Sequence, residues 1–291
     1  MSRILYYLIL KPLSMLPMWV LYRLSDAFAL LFRYIIPYRR KVIMTNLERS
    51  FPEKSYAELL DIRNKFYDHL CDLIVESIKA FSMSRKLAMK MFKVTNPEFL
   101  DRYHDQGKHV IVASGHYGNW EYGAVAGSIY TKHDIHGLYS PLSDKFLNAK
   151  ISESRCAFGT HLVDKNQFGT LIKTLDESRL FAITFIADQS ATYAKNVYWT
   201  NFLNQDTPVM LGTEKYARML NLPVLYGGVR KPKRGYYELT YELLVEDPSK
   251  VPYGNITEAH TKRLEQEIRH RPELWLWTHR RWKRQRVSAD E

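Results

Sequence analysis

The sequence contains only two cysteines, Cys71 and Cys156, far apart along the chain. That excludes a disulfide framework, forms no metal-ligand spacing and fits a reducing compartment. No G-x4-GK[ST] or G-x-G-x2-G string occurs, so nothing supports a nucleotide-phosphate loop, and no cofactor is expected. G-x-S-x-G is absent too, which argues against the serine nucleophile of an α/β-hydrolase. No RNP, KH or zinc pattern accompanies the basic residues, and no nucleic-acid partner is expected. The chain lacks an uninterrupted apolar run of about 20 residues, the length of a simple membrane span. It also lacks a small-residue cleavage site behind a short apolar core, so a removable signal peptide is not expected.

What is present is a surplus of positive charge. The 291 residues carry a formal net charge of +11, with 46% hydrophobic and 25% charged residues. This composition is that of a folded globular chain, long enough for one large domain or two small ones. The basic surplus favours an anionic partner: nucleic acid, an anionic membrane surface, or an acidic carrier or substrate. Aromatic residues make up 13%, including 20 Tyr and 6 Trp, and tilt the choice toward a membrane interface, where amphipathic rings settle.

The most informative stretch is Lys108 to Gly127, KHVIVASGHYGNWEYGAVAG. Val110 to Val112 reads as a buried strand, Ala113 to Gly115 as a small-residue turn, and a helix follows from about Tyr122. His116 therefore stands at the mouth of a strand with Glu121 five residues on. An imidazole can take a proton from a hydroxyl while a carboxylate fixes its tautomer. On a regular helix residues five apart diverge by roughly 140°, so the two meet only if the backbone between them is irregular. Gly115 and Gly118 permit such a turn. The bare alternative is a strand-turn-helix connection with a solvated His and a Glu at a helix N-terminus.

HYGNWE after an apolar strand and Ser-Gly resembles the H-x4-[DE] box of the glycerolipid and lysophospholipid acyltransferase superfamily. More narrowly it resembles the HFGNWE box of the bacterial lipid A late acyltransferases. Further segments resemble the same family. Arg40, Asn46, Leu47, Phe51 and Pro52 fit an R-x4-N-L stretch before FP, with altered spacing from the Arg. LYSPLSDKFLNAKISESRCAFG fits a Y-R-P, helix, R-x3-G element, with Ser140 in place of Arg and with Arg155 and Gly159 matching. Asp188-Gln189 fits a second block, and Pro272 to Lys283 closely fits the closing P-E-x-[YW]-L-W-x-H-R-R-[FW]-[KR] segment.

The remaining elements follow from pattern. Ile4 to Ile36 is apolar and aromatic but interrupted by Lys11, Arg23, Asp26 and Arg33. Three readings fit it: a tilted span with snorkelling ends, an interfacial helical anchor, or a pair of core helices. The basic cluster Arg39-Arg40-Lys41 just past it favours a cytoplasmic location for the bulk of the chain. Ser55 to Phe81 has helical periodicity, with Leu59, Ile62, Phe66, Leu70, Leu73 and Ile74 apolar, and His69 reads as a surface or packed side chain. Further strands are expected at Asp134–Tyr139, Leu180–Ala187, Pro223–Val229 and Tyr236–Leu244, with a basic turn over Arg230–Arg234. Helices are expected at Ser143–Phe158, Gln167–Ser178 and Thr257–His270. Asp188 ends a strand, where α/β proteins place their sites. His104, His109, His133, His136 and His161 are scattered and read as bystanders. Trp275, Trp277, His279, Arg280 and Arg281 form an aromatic-basic end suited to anionic headgroups.

The expected fold is α/β, a central mainly parallel or mixed sheet flanked by helices, with an N-terminal membrane-associated helical segment. Residues 1–41 form the anchor and 42–291 the acyltransferase domain, comprising a helical lead-in (42–100), an α/β catalytic part (101–256) and a C-terminal helix with its basic-aromatic tail (257–291). The resemblance implies an O-acyltransferase on the cytoplasmic side of a bacterial inner membrane. It implies acyl-acyl carrier protein as donor and the hydroxyl of a 3-hydroxyacyl chain on a lipid A precursor as acceptor. In that frame His116 is the general base and Glu121 orients it, while Asn119, Arg155, Asp188, Gln189 and Arg280 are substrate-binding or oxyanion candidates. Alternatives are the same chemistry on an aminolipid or lysophospholipid, and a membrane-anchored lipid-binding protein without catalysis.

Overall fold

The computed structural model describes residues 1–172, 179–191, 197–284 and 286. Among them nine strands form: β1 (Phe92–Val94), β2 (Val110–Ser114), β3 (Asp134–Tyr139), β4 (His161–Asp164), β5 (Phe181–Ile186), β6 (Val197–Phe202), β7 (Gln205–Met210), β8 (Val224–Lys233) and β9 (Tyr236–Val245). Seven of them make one sheet in the order β1-β9-β8-β2-β5-β3-β4. All its described pairs are parallel except the β8–β9 hairpin. The β-branched run of β2 lies in the middle, buried between β5 and β8, as a strand with no polar face requires. The α/β expectation holds, with a mixed, mostly parallel sheet flanked by helices.

The helices are α1 (Ser2–Leu5), α2 (Lys11–Met15), α3 (Met18–Tyr34), α4 (Arg40–Ser50), α5 (Tyr56–Ala80), α6 (Arg85–Met91), α7 (Pro97–Asp105), α8 (Trp120–Ala126), α9 (Lys145–Arg155), α10 (Phe168–Leu171), α11 (Gly212–Leu220) and α12 (Asn255–His270). The apolar spacing at 55–81 becomes the single helix α5, started by a reciprocal capping box between Ser55 and Glu58, which satisfies two otherwise orphaned N–H groups. Ile74 falls on its exposed side. Of the helix expected at 167–178, α10 is the described part, and 173–178 lie outside the described residues. The expected basic turn is shorter than its charge pattern suggested. β8 continues to Lys233, opposite Tyr236, and only Arg234 and Gly235 turn the chain.

At the N-terminus α1, a π-helical turn over Tyr6–Leu10 and α2 run on as one helix, which then breaks. Leu16, preceding Pro17, is extended at φ −62°, ψ 150°, as a residue before proline prefers. The two helical segments, Ser2–Met15 and Met18–Tyr34, are bent by 117° at the break, and among the described residues no single helix is long and apolar enough to cross a membrane. Lys79 Nζ donates to the freed carbonyls of Ser14 and Leu16 at 2.9 and 3.0 Å. Leu21, Ser25 and Ala29 bury one stripe of α3, on the side packed against α5. Trp19, Phe28, Leu30 and Tyr34 of α3 remain exposed.

Two carboxyls in the folded chain are pushed up to about 7 by burial, Glu76 on α5 and Glu267 on α12. An unfolded Glu titrates near about 4.3. Between those values the folded chain keeps protons that the unfolded chain has released, so each group lowers stability as pH rises. Buried histidines such as His260, held down to about 4 by burial, act in the opposite sense, so the informative measurement is a difference. The unfolding midpoint of Glu267→Gln relative to wild type should climb as pH goes from about 5 to about 8. A flat or falling difference would contradict this assignment.

Candidate active site

β2 ends at Ser114 and hands the chain to a turn that is held on several sides. Gly118 has φ +61°, and a Cβ there would stand 2.7 Å from Val229 Cγ1, so both the conformation and the space call for glycine. Its N–H donates to Leu274 O at 3.0 Å. The Tyr117 hydroxyl donates to Glu267 O and Arg271 O. Asn119 then caps α8 by accepting from Tyr122 N–H at 2.8 Å.

His116 is set by strand register. In the parallel β2–β5 pair Ser114 lies opposite Ile186, and two residues further on each strand stand His116 and Asp188. The Asp188 carboxylate takes His116 Nδ1 at 2.6 Å on Oδ1 and the His116 backbone N–H at 2.9 Å on Oδ2. Trp275 Nε1–H donates to the same Oδ2 at 2.8 Å. Burial works to raise the Asp188 pKa, but the His116 ring and these donors outweigh it and hold the carboxyl at about 2. An ionised carboxylate only accepts hydrogen bonds, so Nδ1 carries a proton, and in the neutral ring Nε2 is the nitrogen with the lone pair. Gln189 Nε2 lies 3.2 Å from that Nε2 and, with this tautomer, donates to it.

The carboxylate on His116 is therefore Asp188 and not Glu121, which corrects the orienting role expected from H-x4-E spacing. Glu121 sits in the first turn of α8 and is engaged elsewhere. Arg155 of α9 donates from Nε to Oε2 at 2.8 Å and from Nη2 to Oε1 at 2.6 Å. Trp120 Nε1–H adds a bond to Oε1 at 3.2 Å. Such a two-point guanidinium–carboxylate pair fixes both planes. His116, Trp120, Glu121, Arg155, Gln189 and Ser190 all line a cavity of about 530 Å³. The rest of its lining is mainly apolar, including Phe92, Val112, Leu138, Phe168, Phe185 and Tyr241.

Two other candidates stand apart from this cavity. Asn119 is wholly buried, with its Nδ2 on Glu76 and its Oδ1 on α8, so its polar ends are already used. Arg280 is exposed, and neither residue lines the cavity. The aromatic-basic end divides: Trp275, Trp277 and Arg281 are buried, while Arg280, Lys283 and Arg286 face outward. His279 Nε2 accepts from Ser190 N–H at 2.9 Å. Asn46 Nδ2 donates to the Trp277 and His279 carbonyls, both at 3.0 Å. Burial pushes Arg281 down to about 10. These inward roles were hidden by a composition that reads as an interface. Among the described residues, no group of three or more His, Cys, Asp or Glu is placed to hold a metal ion.

Residues 2–284 match the family model for bacterial lipid A biosynthesis acyltransferases. The chain belongs to that family. It is similar to a lipid A biosynthesis lauroyltransferase of Escherichia coli K12, 22% identical over 272 residues covering 92% of this chain and 87% of the relative. It is also 23% identical over 279 residues to a lipid A biosynthesis palmitoleoyltransferase of the same organism and to a lipid A biosynthesis acyltransferase of Shigella flexneri, covering 94% of this chain and 88% of each relative. The protein is thus an acyltransferase, and in this member of the family the cavity is lined by His116, backed by the buried Asp188, and by the Glu121–Arg155 pair.

Asp188→Asn tests the His–Asp pair. The amide fills the same space, but when one end accepts from Trp275 the other presents N–H groups to Nδ1 and favours the wrong tautomer. The acyl-transfer kcat should fall by about 10³–10⁴ in a folded variant. Activity within a few-fold of wild type would show that the imidazole does not need this carboxylate.

Proposed function

We propose that the protein moves a fatty acyl chain from an acyl thioester, acyl-acyl carrier protein, to the hydroxyl of a 3-hydroxyacyl chain on a lipid A precursor. Family membership supports lipid A as the acceptor. The observation that carries the mechanism is a hydrogen-bonded His116–Asp188 pair opening on a mainly apolar cavity of about 530 Å³, a volume in the range of small-molecule sites.

The acceptor hydroxyl replaces the Gln189 amide at His116 Nε2 and gives up its proton there while Asp188 steadies the forming imidazolium. The alkoxide oxygen attacks the thioester carbonyl, and a tetrahedral oxyanion forms. Its collapse forms the ester, breaks the carbon–sulfur bond and releases the thiolate, which takes the proton back from His116. No acyl-enzyme is required. The guanidinium of Arg155, held in place by Glu121, and the freed Gln189 amide are the donors available to the oxyanion or to a substrate phosphate. The apolar part of the cavity receives hydrocarbon. The +11 charge suits an acidic carrier and a phosphorylated acceptor. The exposed apolar residues of the N-terminal helices support seating residues 1–41 in the cytoplasmic leaflet of a bacterial inner membrane, with 42–291 as the catalytic domain.

The deciding experiment is a lipid profile by mass spectrometry of cells lacking the protein, complemented by wild type or by His116→Ala. The expected result is a lipid A species lighter by one acyl group, restored by wild type alone. A change confined to an aminolipid or lysophospholipid would replace the acceptor. Full rescue by His116→Ala would remove the catalytic reading. A second prediction concerns chain length. Gly127 lines the cavity with an ordinary helical φ of −57°, and a Cβ there meets nothing within 4 Å. Gly127→Met should fold and shift the transferred chain toward shorter lengths in the same spectra, and an unchanged chain profile would place the hydrocarbon elsewhere.

A further inference from the structure

One buried face of α5 looks onto the turn that carries His116. His69, Asp72 and Glu76 stand on it at i, i+3 and i+7, all buried, and none lines the cavity. Three titratable side chains on a helix stripe that would ordinarily be apolar are unfavourable unless each is matched, and here each is. His69 Nε2 lies 3.1 Å from Gly118 O, and Lys231 Nζ is 3.3 Å from its Nδ1. Asp72 accepts from Ser25 of α3 and from Lys231 and Arg234 of the β8–β9 hairpin. The Glu76 carboxylate takes Tyr22 O–H at 2.8 Å on Oε1, and Asn119 Nδ2 at 2.7 Å and Tyr237 O–H at 2.8 Å on Oε2. Two successive residues of the turn are thus held from the same helix.

The Glu76 contact has a particular effect on Asn119. Burial holds the Glu76 proton up to about pH 7; once ionised, the group bonded to these three donors is an acceptor only, so above that pH the amide must point Nδ2 toward it and Oδ1 toward Tyr122 N–H. That orientation supplies the cap of α8, whose first turn carries Glu121. With the amide reversed, oxygen would face carboxylate and N–H would face N–H. A well-packed apolar pair could fill this space at no electrostatic cost, so shape alone does not call for a carboxylate here. Tyr22 is on α3, the helix that exposes Trp19, Phe28, Leu30 and Tyr34.

We propose that Glu76 is a positioning residue for acyl transfer. It sets the Asn119 amide and hence the start of α8, and through Tyr22 it ties this turn to the apolar-faced helix α3. The functional part rests on the acyl-transfer reading above. The test uses the full chain as wild type, Glu76→Gln and Tyr22→Phe, each first shown to be folded by its unfolding midpoint. Glutamine keeps the volume but can donate to a reversed Asn119, so kcat should fall between about tenfold and a hundredfold, the scale of a small misplacement, with the thioester KM unchanged. Amide hydrogen exchange reads the same event without turnover. Tyr122 and the first turn of α8 should exchange faster in Glu76→Gln, and less so in Tyr22→Phe, while the middle of α5 stays protected. Wild-type protection at α8 with wild-type kcat in folded Glu76→Gln would overturn the proposal. Normal values in Tyr22→Phe alone would remove the link to α3. Wild type that lacks turnover would count against the acyl-transfer reading, and the exchange data would still decide the positioning.

Discussion

The parallel pairing of β2 with β5 is the constraint on which the site depends. It is formed mainly by apolar residues that carry no chemistry, such as Ile111 opposite Ile183, and it fixes where both strands stop. Because the two chains leave the sheet at the same level, His116 and Asp188 arrive side by side from positions 72 residues apart. A slip of one residue in this ladder would turn every side chain of one strand to its other face and separate the pair. The ion pair Glu121–Arg155 then depends on the turn that follows β2, and the cavity depends on both. Catalytic geometry in this protein is therefore a property of the central sheet first and of the polar residues second.

This explains what could be read from the chain and what could not. The central strands β2, β3, β5, β8 and β9 were readable as strands from the sequence, α5 as apolar helical periodicity and α12 as a charged helical stretch. β1 and β4 are too short to rise above their surroundings. β6 and β7 are polar enough to pass for loop, and their two-residue turn uses Leu203 at φ 52° and Asn204 at φ 62°, without the glycine that usually signals a hairpin. His116 was legible because HYGNWE after an apolar strand resembles a known acyltransferase box; the imidazole at a strand mouth would by itself also fit a solvated turn. Asp188 was legible as a strand-end carboxylate, but its partner was not, since register leaves no mark in a linear pattern. Five-residue spacing drew attention to Glu121, and the long-range Arg155 contact shows why proximity in sequence was the weaker guide.

Burial is where the sequence was hardest to read. A helix with a strong apolar stripe hides the polar residues that share it, and His69, Asp72 and Glu76 were submerged in the pattern that correctly predicted α5. The closing tryptophans and basic residues show the converse. Their composition suits a wet interface, yet Trp275 binds Asp188 and Arg281 Nη2 donates to Pro208 O at 2.8 Å in the interior. Amphipathic side chains serve at a surface or as buried donors equally well, and only the fold chooses between the two.

The break at Pro17 has a geometric consequence. A continuous helix from Ser2 to Tyr34 would be a rod of about 50 Å. Broken, it becomes a bracket whose short arm lies back against the body, with Tyr6 edge-on to Phe81 of the segment after α5 and to Phe146 of α9. Helix α9 also carries Arg155. The short arm thus packs on the element that carries the guanidinium, and its corner is held by Lys79 Nζ on the Ser14 and Leu16 carbonyls. The amino-terminal arm and the helix of Arg155 therefore touch directly, through the Tyr6–Phe146 ring contact and outside the central sheet.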